Sequence, residues 1–145
     1  MRLRTYHAVE RMPAARRFGH AWLALTLVGA AHVADEALTG FLTVYNPIVR
    51  ALGERFRWFP MPAFEFRDWI AGLCVAVAVL LLLTPLAYGR SRVMTAIAYP
   101  FGALMFLNGV GHLALSFYLG FWAPGTTTAP LLLVASVWLL TSARR

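Results

Sequence analysis

The chain has 145 residues, of which 60% are hydrophobic and only 13% charged, whereas a soluble domain carries about 25% charged residues. This composition excludes an ordinary cytosolic enzyme, a disordered tail and an extracellular disulfide scaffold, because one small soluble core needs far less apolar surface. The formal net charge is +7, and Cys74 is the only cysteine, so no internal disulfide or cysteine zinc site is possible.

The basic residues are all arginines, and most of them flank apolar runs. Those at the flanks are Arg2, Arg4, Arg11, Arg16, Arg17, Arg90, Arg92, Arg144 and Arg145. Flanking arginines are typical of membrane spans, where they mark the cytoplasmic side and attract anionic lipid. They do not form the basic face that a nucleic acid needs, so we expect membrane lipid and no nucleic acid as a partner.

Four apolar stretches follow one another along the chain, and a span needs about 20 such residues. They cover about 19–39, 69–89, 93–121 and 127–143. The sequence therefore predicts an all-α integral membrane protein, a four-helix bundle that forms a single domain over 1–145. Because the arginine clusters fall on one side, both termini are predicted to be cytoplasmic.

The outer connection between the first two spans, about 40–68, is longer than a simple turn. It combines mixed charges with an aromatic series, Phe56, Trp58, Phe59 and Phe64, and with Pro60 and Pro62. Such a composition predicts a short interfacial helix and an aromatic segment that lie on the membrane surface and cover the bundle.

Ionisable residues inside the predicted spans are the strongest functional signal, because each costs about 2.5–3.5 kcal/mol to insert. The first span places His32, Asp35 and Glu36 on one helix face, and the third places Asn108 and His112 on one face. Counted from the cytoplasmic arginines at about 1.5 Å per residue, both groups lie roughly 22–30 Å into the membrane. We therefore expect them to meet at one level, in the outer half of the bilayer.

Several chemistries fit such a meeting point. His32, Glu36 and His112 could bind a divalent metal, zinc or iron, with Asp35 as an outer partner or general base. Without a metal, His32, Asp35 and Glu36 could act as a proton relay or as general acid and base. A third interpretation is a closed polar network that only fixes helix register. The predicted substrate-binding residues are Asn108, Asp68 and Trp69.

These residues resemble the small bacterial membrane proteins named for their HXXEE motif. The similarity consists of His32-Val33-Ala34-Asp35-Glu36, Gly40-Phe41, Asn108 to His112, and the segment from Ala123 to Thr128. The resemblance implies an integral-membrane architecture, which we expect in the bacterial cytoplasmic membrane, but no activity. The residues that it marks as important are His32, Asp35, Glu36, Asn108 and His112. Asp35 replaces the first glutamate of the motif. A weaker resemblance is to sterol-isomerase-like membrane proteins, in which a histidine and glutamates shuttle a proton. His32 and Glu36 are residues of the same kind.

Taken together, the sequence predicts a multi-pass membrane protein with an intramembrane polar pocket. The leading hypothesis is a hydrolase-like or isomerase-like membrane enzyme that acts on a lipid-like or small amphiphilic substrate and is metal-dependent if the histidines are ligands. The alternatives are a metal-free proton-transfer isomerase or lipid-binding protein, and a non-catalytic membrane partner protein.

Overall fold

The computed structural model describes residues 2–56 and 62–144, with side chains from residue 14 onward. The described chain is helical apart from short connections, as the sequence predicted. Its helices are α1 (Arg2–Thr39), α2 (Phe41–Arg55), α3 (Phe66–Leu82), α4 (Thr84–Tyr88), α5 (Arg92–Leu119) and α6 (Ala129–Arg144). Trp58, Phe59 and Pro60 of the predicted aromatic segment lie outside the described residues.

Three helical stretches are long and apolar enough to cross a membrane: Ala14–Thr39, Phe66–Tyr88 and Arg92–Leu119. They correspond to the first three predicted spans. The fourth predicted span corresponds to α6, which is apolar but has 16 residues and so measures about 24 Å. That is shorter than the roughly 30 Å of a hydrocarbon core, so a fourth crossing stays a prediction.

Helix boundaries follow local chemistry. Gly40, with φ of 77°, separates α1 from α2, since this left-handed backbone is open mainly to glycine. The side chain of Ser91 caps α5 by accepting a hydrogen bond from the Met94 amide at 3.2 Å. Gly120, with φ of 70°, ends α5 while its amide donates to the Ser116 carbonyl.

The second predicted span is interrupted at Leu83, between α3 and α4. Pro85 supplies the reason, because proline has no amide hydrogen and cannot complete the helical ladder. The chain nevertheless continues in the same general course, with the Leu83 amide bonded to Val79 and the Ala87 amide bonded to Leu83.

Helix α1 is central to the packing. It contacts α3 and α4 on one side and α6 on another, and α6 in turn packs against α5. The core includes Phe18, Trp22 and Leu25 of α1 together with Leu132 and Leu139 of α6. The close approach of α5 to α6 needs small residues, as membrane helix pairs commonly do, and a Cβ added at Gly102 would meet Leu140 at 2.9 Å.

The connection between α5 and α6 folds back along α5 instead of leaving the protein. Its residues from Ala123 to Thr126 are buried, and the hydroxyl groups of Thr126 and Ser116 are hydrogen-bonded at 2.5 Å. The Thr126 hydroxyl also lies 3.3 Å from the carbonyl oxygen of His112. His112 is seven residues before the last residue of α5, which corresponds to about 10 Å along the helix. This re-entrant loop explains why α6 is short and brings loop atoms to the level of His112.

Candidate metal centre

The structure brings His32, Glu36 and His112 together, which confirms the predicted meeting of the two polar faces. All three residues are buried, and one potential ligand atom from each lies within 4.8 Å of the other two. Glu36 Oε1 is 2.9 Å from His112 Nε2 and 3.5 Å from His32 Nε2. The two imidazole rings meet edge to face with centroids 4.7 Å apart.

Hydrogen bonding fixes which nitrogen of His112 carries a proton. Its Nδ1 lies 2.6 Å from the carbonyl oxygen of Pro124. A carbonyl oxygen can only accept, so Nδ1 is protonated and donates. The other nitrogen, Nε2, is therefore the one left to face Glu36, which is the arrangement that backbone carbonyls impose on metal-binding histidines.

A second hydrogen-bonded chain fixes His32 in the same way. Thr128 Oγ1 lies 2.9 Å from Asp35 Oδ2 and 2.7 Å from His32 Nδ1. The hydroxyl has one hydrogen, and both the Asp35 carboxylate and, at 3.3 Å, the Gly125 carbonyl oxygen are acceptors within its reach. Thr128 must then accept from the Nδ1–H of His32. Asp35 thus acts on His32 through Thr128, as an outer partner, and its Oδ2 also accepts from the Thr128 amide at 3.1 Å.

Both histidines consequently present an Nε2 lone pair toward the carboxylate of Glu36. The Nε2 atom of His32 is buried and has no hydrogen-bond partner among the residues that the structure describes. If no proton lies between His112 and Glu36, the three converging atoms, Nε2 of each histidine and Oε1 of Glu36, are all acceptors. One extra proton would turn the contact between His112 and Glu36 into a hydrogen bond. In a tetrahedral zinc site with bonds of about 2.0–2.1 Å, neighbouring ligand atoms are about 3.3 Å apart. Here the two pairs that include Glu36 are 2.9 and 3.5 Å apart, and all three atoms lie within 4.8 Å of one another.

Two histidines and one carboxylate form a recurrent ligand set. Catalytic zinc is held in this way, and so is non-haem iron(II), with the remaining positions left for water or substrate. His32 and Glu36 are four residues apart on α1, so one helix face supplies two ligand atoms, and α5 supplies the third.

The glycine of the re-entrant loop is packed directly against this cluster. Gly125 has φ of 79°, and a Cβ placed there would lie 2.6 Å from His112 Cε1 and 3.1 Å from Glu36 Cγ. The absence of a side chain at this position lets the loop approach closely enough for Pro124 and Thr128 to orient the two histidines.

An aromatic group from α2 lies next to the cluster. The ring of Phe41, in the first turn of α2, is 5.6 Å from the His112 ring and 5.9 Å from Trp69, on which it stacks. Tyr45 follows one turn later and donates to the Pro62 carbonyl at 3.2 Å, while burial raises the pKa of its phenol. An apolar cover of this kind limits the access of water to a metal site.

The three predicted substrate-binding residues differ in burial and in their distance from the cluster. Asn108 lies one helical turn from His112 on α5, and its Oδ1 is buried without a hydrogen-bond partner in the described part of the chain. Trp69 is buried in the aromatic cover. Asp68 is exposed in the first turn of α3, and no described contact joins it to the cluster.

Sequence reasoning did not identify Pro124 or Gly125 as parts of the site, nor the relay role of Thr128. The Pro-Gly turn before α6 was visible, but a carbonyl acceptor leaves no trace in the identity of its side chain. No family model, curated protein or solved structure matches this chain.

Substituting Gly125 by alanine is expected to damage the cluster more than a matched substitution in the same loop. Gly120 also has positive φ, but a Cβ there would meet nothing within 4 Å. Gly120→Ala therefore measures backbone strain alone, whereas Gly125→Ala adds a clash with His112. Thermal unfolding should show an extra loss of about 1–3 kcal/mol for Gly125→Ala. Equal losses for the two variants would contradict this packing.

Proposed function

We propose that the chain is a multi-pass protein of the bacterial cytoplasmic membrane whose His32, Glu36 and His112 bind one zinc or iron ion. The observation that carries the proposal is the convergence of three potential ligand atoms, two of them on histidines whose other nitrogen is hydrogen-bonded elsewhere. The proposal retains the four-helix bundle with both termini cytoplasmic and the resemblance to the HXXEE proteins.

The proposed activity is that of a metal-dependent membrane enzyme. A bound zinc or iron ion supplies Lewis acidity and lowers the pKa of a coordinated water. The chain's own residues then have separate roles. Glu36 and the histidines hold the ion, Asp35 orients His32 through Thr128, and Asn108 presents an unused buried amide oxygen to a substrate.

A lipid-like substrate is supported by an apolar cleft below the cluster. The cleft has a volume of about 90 Å³ and is lined by α1, α3 and α5, including Val33, Val77 and Met105. Val33 is three residues before Glu36 on α1, and Met105 is seven residues before His112 on α5. The cleft therefore lies about 5–10 Å from the cluster along these helices, toward the predicted cytoplasmic end. The cleft is smaller than the roughly 300–1,000 Å³ of small-molecule sites, so it would take only a short apolar group of a substrate whose polar group lies at the cluster.

One observation also favours the metal-free alternative. The 2.9 Å separation of His112 Nε2 and Glu36 Oε1 becomes a hydrogen bond if one additional proton lies between them. Glu36 would then be the group that exchanges a proton with a substrate, as in an isomerase, and His32 and His112 would hold its carboxylate in position.

A lipid turnover experiment distinguishes the two activities. Wild-type protein and Glu36→Gln are reconstituted in liposomes of bacterial phospholipid, in heavy water, with added zinc or iron(II) or with a chelator. Metal-dependent conversion of a lipid species by the wild type alone, detected by mass spectrometry, is the expected result. Deuterium incorporation that persists with the chelator would favour the isomerase, and identical lipid profiles throughout would contradict both activities.

A further inference from the structure

The opposite end of the molecule from the histidine cluster carries a second, unrelated pocket. It has a volume of about 750 Å³ and is lined by Ala15 of α1, by Gly89, Arg90 and Arg92, and by Thr95, Ala96 and Tyr99 of α5. Its volume is within the range of small-molecule sites, roughly 300–1,000 Å³. The pocket shares no lining residue with the metal centre.

Positive charge is concentrated at this pocket. Arg90 and Arg92 contribute guanidinium groups, and neither forms an ion pair with any carboxylate among the side chains that the structure describes. The backbone of Arg90 is held in place because its amide donates to the Ala87 carbonyl at 2.9 Å. Arginine binds phosphate through two parallel hydrogen bonds, so the chemistry here favours a phosphate-bearing ligand.

The pocket has a charged end at the arginines and a more apolar end further along α5. Arg92, Thr95, Ala96 and Tyr99 lie on one face of α5, since their spacing follows the helical repeat. From Arg92 to Tyr99 the helix rises about 10 Å into the apolar part of the molecule. A ligand seated here would have its anionic group at the arginines and an apolar portion alongside Ala96 and the Tyr99 ring, a level at which tyrosine is common in membrane proteins.

We propose that this pocket binds the phosphate headgroup of an anionic phospholipid, with an acyl chain running along α5. Free inorganic phosphate shares the charge chemistry but has no use for the apolar wall. The predicted topology puts the pocket at the cytoplasmic leaflet, where basic pockets between membrane helices recognise such headgroups. The site is separate from the proposed metal centre and does not depend on it.

Native mass spectrometry of the detergent-solubilised full chain with phosphatidylglycerol tests this site. Arg90→Gln combined with Arg92→Gln is expected to weaken lipid binding by about tenfold or more. Arg17→Gln combined with Arg144→Gln is the matched control, because it removes the same charge from exposed positions at the same end. Arg92→Gln alone, at the exposed first residue of α5, gives a smaller loss in the same direction if the double variant unfolds.

Three results would overturn the proposal. The pocket variants could bind phosphatidylglycerol as the wild type does, or the control could lose as much affinity as they do, which would indicate general surface attraction. Displacement of the lipid by millimolar inorganic phosphate would assign the arginines to a soluble anion. Retention of phosphatidylglycerol in the presence of phosphate, and in preference to phosphatidylcholine, is the expected outcome.

Discussion

Replacing His112 by alanine is expected to lower the affinity for zinc by more than about 100-fold, because one of three protein ligands is lost. The described helices should still form, since the apolar core of α1, α5 and α6 does not include this side chain. Equilibrium zinc titration of the purified variant measures the effect, and circular dichroism reports the helix content.

His20→Ala is the matched control for that experiment. His20 is exposed and its ring contacts Tyr88, at the end of the molecule opposite to the cluster. Its loss should leave zinc affinity unchanged. If His112→Ala kept wild-type affinity, His112 would not be a ligand. A loss of about 1–3 kcal/mol of stability with no metal binding in either protein would instead indicate a structural hydrogen-bond network.

Thr128→Val is expected to weaken metal binding by about 10–100-fold, the usual cost of removing an outer partner of a ligand. The substitution keeps the shape of the side chain but removes the hydroxyl that links Asp35 Oδ2 to His32 Nδ1. His32 would then lose the acceptor that commits its Nδ1 proton and orients its ring.

Two further variants make this prediction specific. Thr128→Ser keeps the hydroxyl and should retain most of the affinity. Thr127→Val removes an exposed hydroxyl, which accepts from the Trp122 indole at 3.1 Å, and should leave metal binding unchanged. If Thr127→Val weakened binding as much as Thr128→Val, the effect would belong to the loop as a whole and the relay from Asp35 would be contradicted.

Much of the helical layout could be predicted because apolar runs bounded by arginines and glycines are local signals. The predicted third span, 93–121, differs by only one or two residues at each end from α5, and the predicted fourth, 127–143, from α6. The depth count also predicted that Glu36 and His112 would lie at one level, because the rise per residue of a helix is constant. The break at Leu83 was missed, although Pro85 lies beside it.

The support around the ligands could not be predicted in the same way. The partner of His112 Nδ1 is the carbonyl of Pro124, and every residue has a carbonyl, so its role depends on the path of the re-entrant loop. That path is set by long-range packing of Gly125 against His112. Asp68 lies in the first turn of α3, where an acidic side chain suits the helix dipole, so its predicted contact with a substrate stays a prediction.

The metal content of the wild-type protein tests the central claim most directly. The protein is purified through an affinity tag without histidines, dialysed against zinc or iron(II), separated from free metal and analysed by elemental mass spectrometry. We predict about one ion per chain, released on acidification because protons compete for the histidine nitrogens. A folded, helical protein that retains no zinc or iron at neutral pH would contradict the metal centre.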